Sequence, residues 1–182
     1  NHGMSRDPAG FVNRDLAFAA EGSANPWYYE MAEPGFNYRA PDILCALGLS
    51  QLKKLGRFIA RRRVLADLYD AALEPLAPLV KRVPKVAWSE HGYHLYAVLI
   101  DFAAAGVERA EVMHRLRRAG VGTQVHYLPV HRQPYYVRRY GKIDLPGADA
   151  YYARCLSLPI FPAMADGDVD RVAAALAMAL KA

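Results

Sequence analysis

Apolar residues recur at helical spacing across the middle of the chain, at Ile43, Leu44, Leu47, Leu52, Leu55 and Phe58–Ile59, then at Leu65, Leu68, Tyr69 and Leu73. Pro41 sits near the first turn, where a missing N–H has no helical partner to lose, so the pattern predicts a long helix over residues 41–74. A single straight rod of that length would measure about 50 Å, more than a small domain holds, so a break or bend is expected near Gly56. Beyond Pro75 and Pro78 the period changes. Leu79–Val83 and Tyr93–Ile100 read as strands, the second nearly continuous in apolar and aromatic residues. Gly106–Ala119 reads as an amphipathic helix closed by Gly120, and Val121–Leu128 as a third strand followed by a Pro- and Tyr-rich connection. Ala148–Leu156 reads as helical, and Asp166–Ala182 as a final helix with acidic residues at its start. A long helix followed by strand, strand, helix, strand and helix describes a compact α/β module with a small sheet.

The first forty residues differ. Gly, Ser, Asn and Asp punctuate short apolar patches over residues 1–24, and Trp27-Tyr28-Tyr29-Glu30-Met31 reads as a short extended segment closed by Pro34-Gly35. This is too little periodic structure to fold alone, so residues 1–40 read as the edge of a larger domain and residues 41–182 as a small domain with its long helix. Phe11, Val12, Phe18, Trp27 and Phe36 are then expected to lack covering partners.

Composition narrows the function classes. The hydrophobic fraction of 53% supplies a core, and no apolar run approaches the length that spans a bilayer. The N-terminal string has neither the basic nor the apolar region of a signal peptide, so a cytoplasmic protein with no membrane association is expected. Cys45 and Cys155 read as buried free thiols, and nothing resembles a metal-binding pattern. The net charge is +5 and 17 of the 23 basic residues are arginine, which favours phosphate- or carboxylate-bearing partners. The densest cluster, Arg61-Arg62-Arg63, lies inside an amphipathic helix and reads as a solvated face, so no nucleic-acid partner is expected.

Four strings carry a resemblance. They are His2-Gly3-Met4; Pro34-Gly35-Phe36-Asn37-Tyr38-Arg39 with Asp42-Ile43 and Ala46-Leu47-Gly48; Val125-His126-Tyr127-Leu128-Pro129-Val130-His131 with Gln133-Pro134-Tyr135-Tyr136; and Leu156-Ser157-Leu158-Pro159-Ile160-Phe161-Pro162-Ala163-Met164. In this order and spacing they resemble the DegT/DnrJ/EryC1/StrS aminotransferases over essentially the whole chain. The resemblance implies the small C-terminal domain of a fold-type I transferase, with a mainly antiparallel sheet and packed helices. It also implies pyridoxal 5′-phosphate as cofactor, a homodimer, and a nucleotide-linked keto sugar as substrate. Trp27–Met31, Gly35–Arg39 and His131–Tyr136 together look closest to the pseudaminic acid branch. That branch makes UDP-4-amino-4,6-dideoxy-N-acetyl-β-L-altrosamine from the 4-keto sugar with glutamate as amino donor.

Transamination with this cofactor needs a lysine, a carboxylate near the pyridinium nitrogen, and donors around the phosphate. The family carries its lysine upstream of the His-Gly pair. None of Lys53, Lys54, Lys81, Lys85, Lys142 or Lys181 stands in the family's Ser-x-His-x-x-Lys context, so this stretch alone is expected to be inactive. The resemblance places Asn37 on the cofactor phosphate of the neighbouring subunit, and the amide of a turn asparagine can donate there. Arg39 suits a phosphate or carboxylate, or serves as an interface or cap residue. His126 and His131 flank Tyr127 at a strand end where a loop mouth exposes substrate-binding groups, with His131 nearer the sugar and His126 also suited to orienting backbone. Tyr28, with Trp27 and Tyr29, either lines a nucleotide or sugar pocket or packs at an interface. His91, His94 and His114 are assigned to structure or surface. Two rivals stay open: a sugar dehydratase with the same cofactor and a histidine in place of the lysine, and a non-catalytic dimerisation or binding module.

Overall fold

The computed structural model describes residues 2–181, so Asn1 and Ala182, the ends of two predicted segments, lie outside the described residues. Internal contacts divide the chain into two units between Lys53 and Lys54.

In the first unit, a two-residue strand β1 (Met4–Ser5) pairs antiparallel with β2 (Glu30–Met31), Met4 opposite Met31 and Ser5 opposite Glu30. Between them runs one turn of helix, α1 (Arg14–Ala17). Residues 1–24 are therefore less irregular than their composition predicts. The Glu30 carboxylate accepts the backbone N–H groups of Val12 and Asn13 and the Tyr28 hydroxyl, which ties the intervening loop to β2. Phe11 does find partners: it is buried and meets Phe18 and Tyr28 edge-on, with ring centroids 6.2 and 4.9 Å away. Val12, Trp27 and Phe36 remain exposed, as expected. Helix α2 (Asp42–Leu52) starts directly after Pro41. Its large apolar residues, Ile43, Leu44, Leu47, Leu49 and Leu52, are all exposed and are distributed around the helix rather than along one stripe. Cys45, expected inside, is exposed, because no neighbour in this unit covers α2.

The second unit opens with α3 (Leu55–Leu73), so the predicted helix breaks at Lys53-Lys54, beside Gly56. Strands β3 (Val80–Arg82) and β4 (Tyr96–Ile100) follow where the period change places them. Next come α4 (Phe102–Ala105), ended by Gly106 in the left-handed region, and α5 (Arg109–Arg118). Gly120, at φ +75°, closes α5 as predicted, and Val121 N–H donates back to Leu116 O.

That cap is why the predicted third strand fails. Val121 is committed to the end of α5, and from Val121–Leu128 only Gln124 makes a ladder contact, with Ser157. The strand that joins the sheet is β5 (Cys155–Leu158), antiparallel to β4 in the order β3-β4-β5. All four residues of β5 are buried, which suits a short apolar run better than a helix end. The helix expected over Ala148–Leu156 is accordingly α7 (Pro146–Arg154), and the Pro/Tyr-rich connection contains α6 (Pro134–Tyr140). Helix α8 (Asp166–Ala179) packs against α3 and α5.

Leu65, Tyr69, Val98, Ile100, Leu116, Leu156 and Leu176 form the centre of one hydrophobic core. Tyr69 stacks on Tyr96 at 4.7 Å and donates its hydroxyl to Pro159 O. Tyr96 in turn donates to Asp70, which also holds Arg82 and Lys85. Burial pushes the Asp70 carboxyl up, but hydrogen bonds from Lys85, Tyr96 and Arg82 outweigh it and leave the group below its ordinary value. The arginine run is not simply a solvated face. Arg61 reaches Met164 O and Asp166, and Arg63 reaches His91 O and Glu90, fixing loops onto α3. No described helix is long and apolar enough to cross a membrane.

Candidate functional site

In the first unit, the His-Gly string and the Pro34–Arg39 string cross each other. His2 N–H donates to Phe36 O at 3.3 Å, and Gly35 N–H donates to His2 O at 3.2 Å. Only glycine fits at this crossing. Gly3 lies at φ +80°, and a Cβ there would sit 2.9 Å from Gly35 N and closer still to the Glu33 carbonyl oxygen. A Cβ on Gly35 would sit 2.8 Å from Gly3 Cα. Every one of these neighbours is backbone and cannot swing aside.

The crossing delivers the chain into a turn at Asn37. Arg39 N–H donates to Asn37 Oδ1 at 3.2 Å, so the side-chain carbonyl is spent locally while the amide NH₂ stays uncommitted among the described residues. Asn37 and Arg39 are exposed, and among the described residues no carboxylate pairs with Arg39. Tyr38 packs on Phe36 with ring centroids 5.6 Å apart. Tyr28 is half-buried and donates to Glu30 Oε2 at 2.9 Å. Burial and the Glu30 carboxylate both raise the Tyr28 hydroxyl, so it stays protonated and its proton is committed to Glu30. What Tyr28 offers a ligand is its ring.

In the second unit, His126 and Tyr127 are adjacent, rings edge-to-face at 4.6 Å, with Tyr127 70% exposed. His126 Nδ1 lies 2.8 Å from Ser157 Oγ on β5. His131 turns the other way. Its side chain is only 7% exposed, and Nε2 lies 3.2 Å from Asp149 Oδ1 on α7. The contact is an ion pair rather than a formed hydrogen bond, and Arg132 Nε approaches the same oxygen at 2.6 Å. Arg132 beside Asp149 holds that carboxyl below the usual carboxylate range. The six predicted site residues thus form two sets, Tyr28, Asn37 and Arg39 in one unit and His126, Tyr127 and His131 in the other. Glu30, Asp149 and Ser157 support them and were not singled out from sequence; a lone hydroxyl inside the apolar run Cys155–Leu158 was the one available signal.

Lys85 is paired with Asp67 and Asp70, and these bonds raise its ammonium well above the ordinary lysine range. A lysine that attacks a carbonyl needs its neutral form, so Lys85 is shifted the wrong way. The uncommitted Asn37 amide, by contrast, is a donor of the kind that a phosphate oxygen accepts from.

Residues 4–177 match the model of the DegT/DnrJ/EryC1/StrS aminotransferase family. The spore coat polysaccharide biosynthesis protein SpsC of Bacillus subtilis is 39% identical over 175 residues, 94% of this chain and 42% of that protein. The structure of Helicobacter pylori PseC, an aminotransferase involved in the biosynthesis of pseudoaminic acid, superposes with a TM-score of 0.77 at 24% identity, over 92% of this chain and 44% of that one. DesI, solved with its TDP-sugar product, gives a TM-score of 0.74 at 28% identity, over 92% and 41% of the two chains. The chain spans about 42% of the length of the curated relatives it matches. Its α/β fold is that of solved aminotransferases of this kind, among them Spr1654 from Streptococcus pneumoniae, solved in both its pyridoxal and its pyridoxamine phosphate forms. On the match over residues 4–177, the chain belongs to the DegT/DnrJ/EryC1/StrS aminotransferase family.

Proposed function

We propose that the protein built on this chain passes an amino group from glutamate to C4 of a UDP-linked 4-keto-6-deoxy sugar. The observation that carries the reading is the Asn37 turn, held by the Gly3–Gly35 crossing with its amide and the Arg39 guanidinium left unpaired. Family membership supplies the chemistry that those donors serve. When bound, pyridoxal phosphate takes the amino group from the donor acid and hands it to the ketone carbon.

In this reading Asn37 donates to the cofactor phosphate of a neighbouring subunit in a cytoplasmic homodimer, and Arg39 holds a substrate phosphate or the donor's carboxylate. His126 and Tyr127 contact the nucleotide sugar, and Tyr28 offers an aromatic face to it. His131, expected from sequence to face the sugar, has its side chain enclosed against Asp149 and in this reading orders the loop rather than contacting the sugar itself. Residues 1–40 belong to the edge of the large cofactor-binding domain and 41–182 to the small domain. The apolar circumference of α2 points to a covering surface that its own unit does not supply, because a helix hydrophobic on all sides is normally covered. None of the chain's six lysines carries the cofactor.

The test is product analysis with the complete protein, glutamate, and 4-keto-6-deoxy sugars bearing either UDP or TDP. The expected result is 2-oxoglutarate and a 4-amino sugar, with UDP preferred by at least about tenfold in kcat/KM, the size of one lost or gained specific contact. Preference for the TDP sugar overturns the nucleotide assignment, and loss of water from the sugar without 2-oxoglutarate favours the dehydratase.

A further inference from the structure

Ser157 lies in the buried apolar strand β5 and is only 5% exposed. Its backbone is fixed from both sides, by β4 opposite Ala97 and by Gln124, whose N–H and C=O it exchanges at 3.3 and 2.8 Å. The hydroxyl has one partner among the described residues, His126 Nδ1 at 2.8 Å. The buried O–H is satisfied as a donor when it donates there. With the hydroxyl donating, Nδ1 of the neutral ring accepts and the ring proton sits on Nε2.

We propose that Ser157 is a positioning residue: it fixes His126 as the Nε2–H tautomer and so presents Nε2 as a hydrogen-bond donor to the nucleotide-sugar substrate. This rests on the reading of His126 as a substrate contact. A donor at that place suits what such a substrate exposes, namely phosphate, hydroxyl and keto oxygens, all of which accept. It also assigns His126 to binding and orientation rather than to proton abstraction, because the neutral ring's basic nitrogen is the one held by Ser157. Tyr127 packs edge-on against the same imidazole, with ring centroids 4.6 Å apart.

The experiment uses the complete enzyme with ¹⁵N-labelled histidine and compares wild type, Ser157→Ala, Ser157→Thr and His126→Ala. The wild-type ring should show the Nε2–H pattern when neutral, and Ser157→Ala should shift it toward a mixture of tautomers. KM for the keto sugar should rise about tenfold with kcat changed by under about twofold, the loss of one oriented hydrogen bond. Ser157→Thr, which keeps the hydroxyl, should restore both. In the His126→Ala background, Ser157→Ala should add no further change in KM. An unchanged tautomer pattern in Ser157→Ala, or an equal rise in KM with and without His126, overturns the role of Ser157. A His126→Ala variant whose KM is unaltered overturns the reading of His126 as a substrate contact, and the proposal with it.

Discussion

Gly35→Ala is expected to weaken pyridoxal phosphate binding by about 100-fold, and Gly3→Ala to do the same, with the rest of the protein still folded. At Gly3 the left-handed backbone alone costs a side chain roughly 1–2 kcal/mol. At both positions the added methyl would meet main chain within 3 Å, a crowding of the kind that costs about 1–3 kcal/mol when neighbours must move. At Gly3 the two terms together reach roughly 3 kcal/mol, and at Gly35 the crowding alone reaches that at its upper end, a factor of about 100 in an equilibrium constant. The strain is released by parting His2 from Phe36 and Gly35, which frees the segment that presents Asn37. Equilibrium dialysis of cofactor measures the affinity, and hydrogen exchange at Gly35 N–H reports the parting. Wild-type affinity in either variant would show that the crossing does not position the phosphate donors.

Asn37→Ala removes one hydrogen bond to a charged acceptor, worth about 1.5–3 kcal/mol, so cofactor affinity should fall by roughly one to two orders of magnitude. Thermal stability should barely move, because Asn37 is exposed and water can replace its bond to Arg39 N–H. A mixed dimer separates the two possible placements. If Asn37 serves the neighbouring subunit, pairing an Asn37→Ala subunit with one lacking the cofactor lysine puts both defects in one site and leaves the other whole. Activity then returns in the mixture. Two inactive homodimers whose mixture is no better place Asn37 in its own subunit's site or in none.

What the sequence made legible is what depends on neighbours along the chain. The β4 run, the Gly120 stop to α5 and the acidic start of α8 are local patterns, and each appears where it was expected. Val121–Leu128 and Cys155–Leu158 are both short apolar runs. Which of them pairs with β4 depends on tertiary context, with Val121 taken by the α5 cap and Cys155–Leu158 buried on both faces. The site divides the same way. The four motif strings were visible as strings, and their order identified the family. The contacts that give them geometry join residues far apart in sequence: His2 with Phe36, Ser157 with His126, and Asp149 with His131. Spacing carries no information about such pairs. The apolar period of α2 likewise marked a helix without revealing that this unit leaves it uncovered.

The central claim is transamination, and the most direct measurement follows the bound cofactor's absorbance in the complete protein through each half-reaction separately. With glutamate alone, the pyridoxal form should convert to the pyridoxamine form in stoichiometric amount, releasing one 2-oxoglutarate per site. Adding the UDP-linked 4-keto sugar should then return the spectrum to its starting form. A protein that binds the cofactor yet shows no spectral change with any amino donor, or that converts the keto sugar without passing through the pyridoxamine form, would contradict the account.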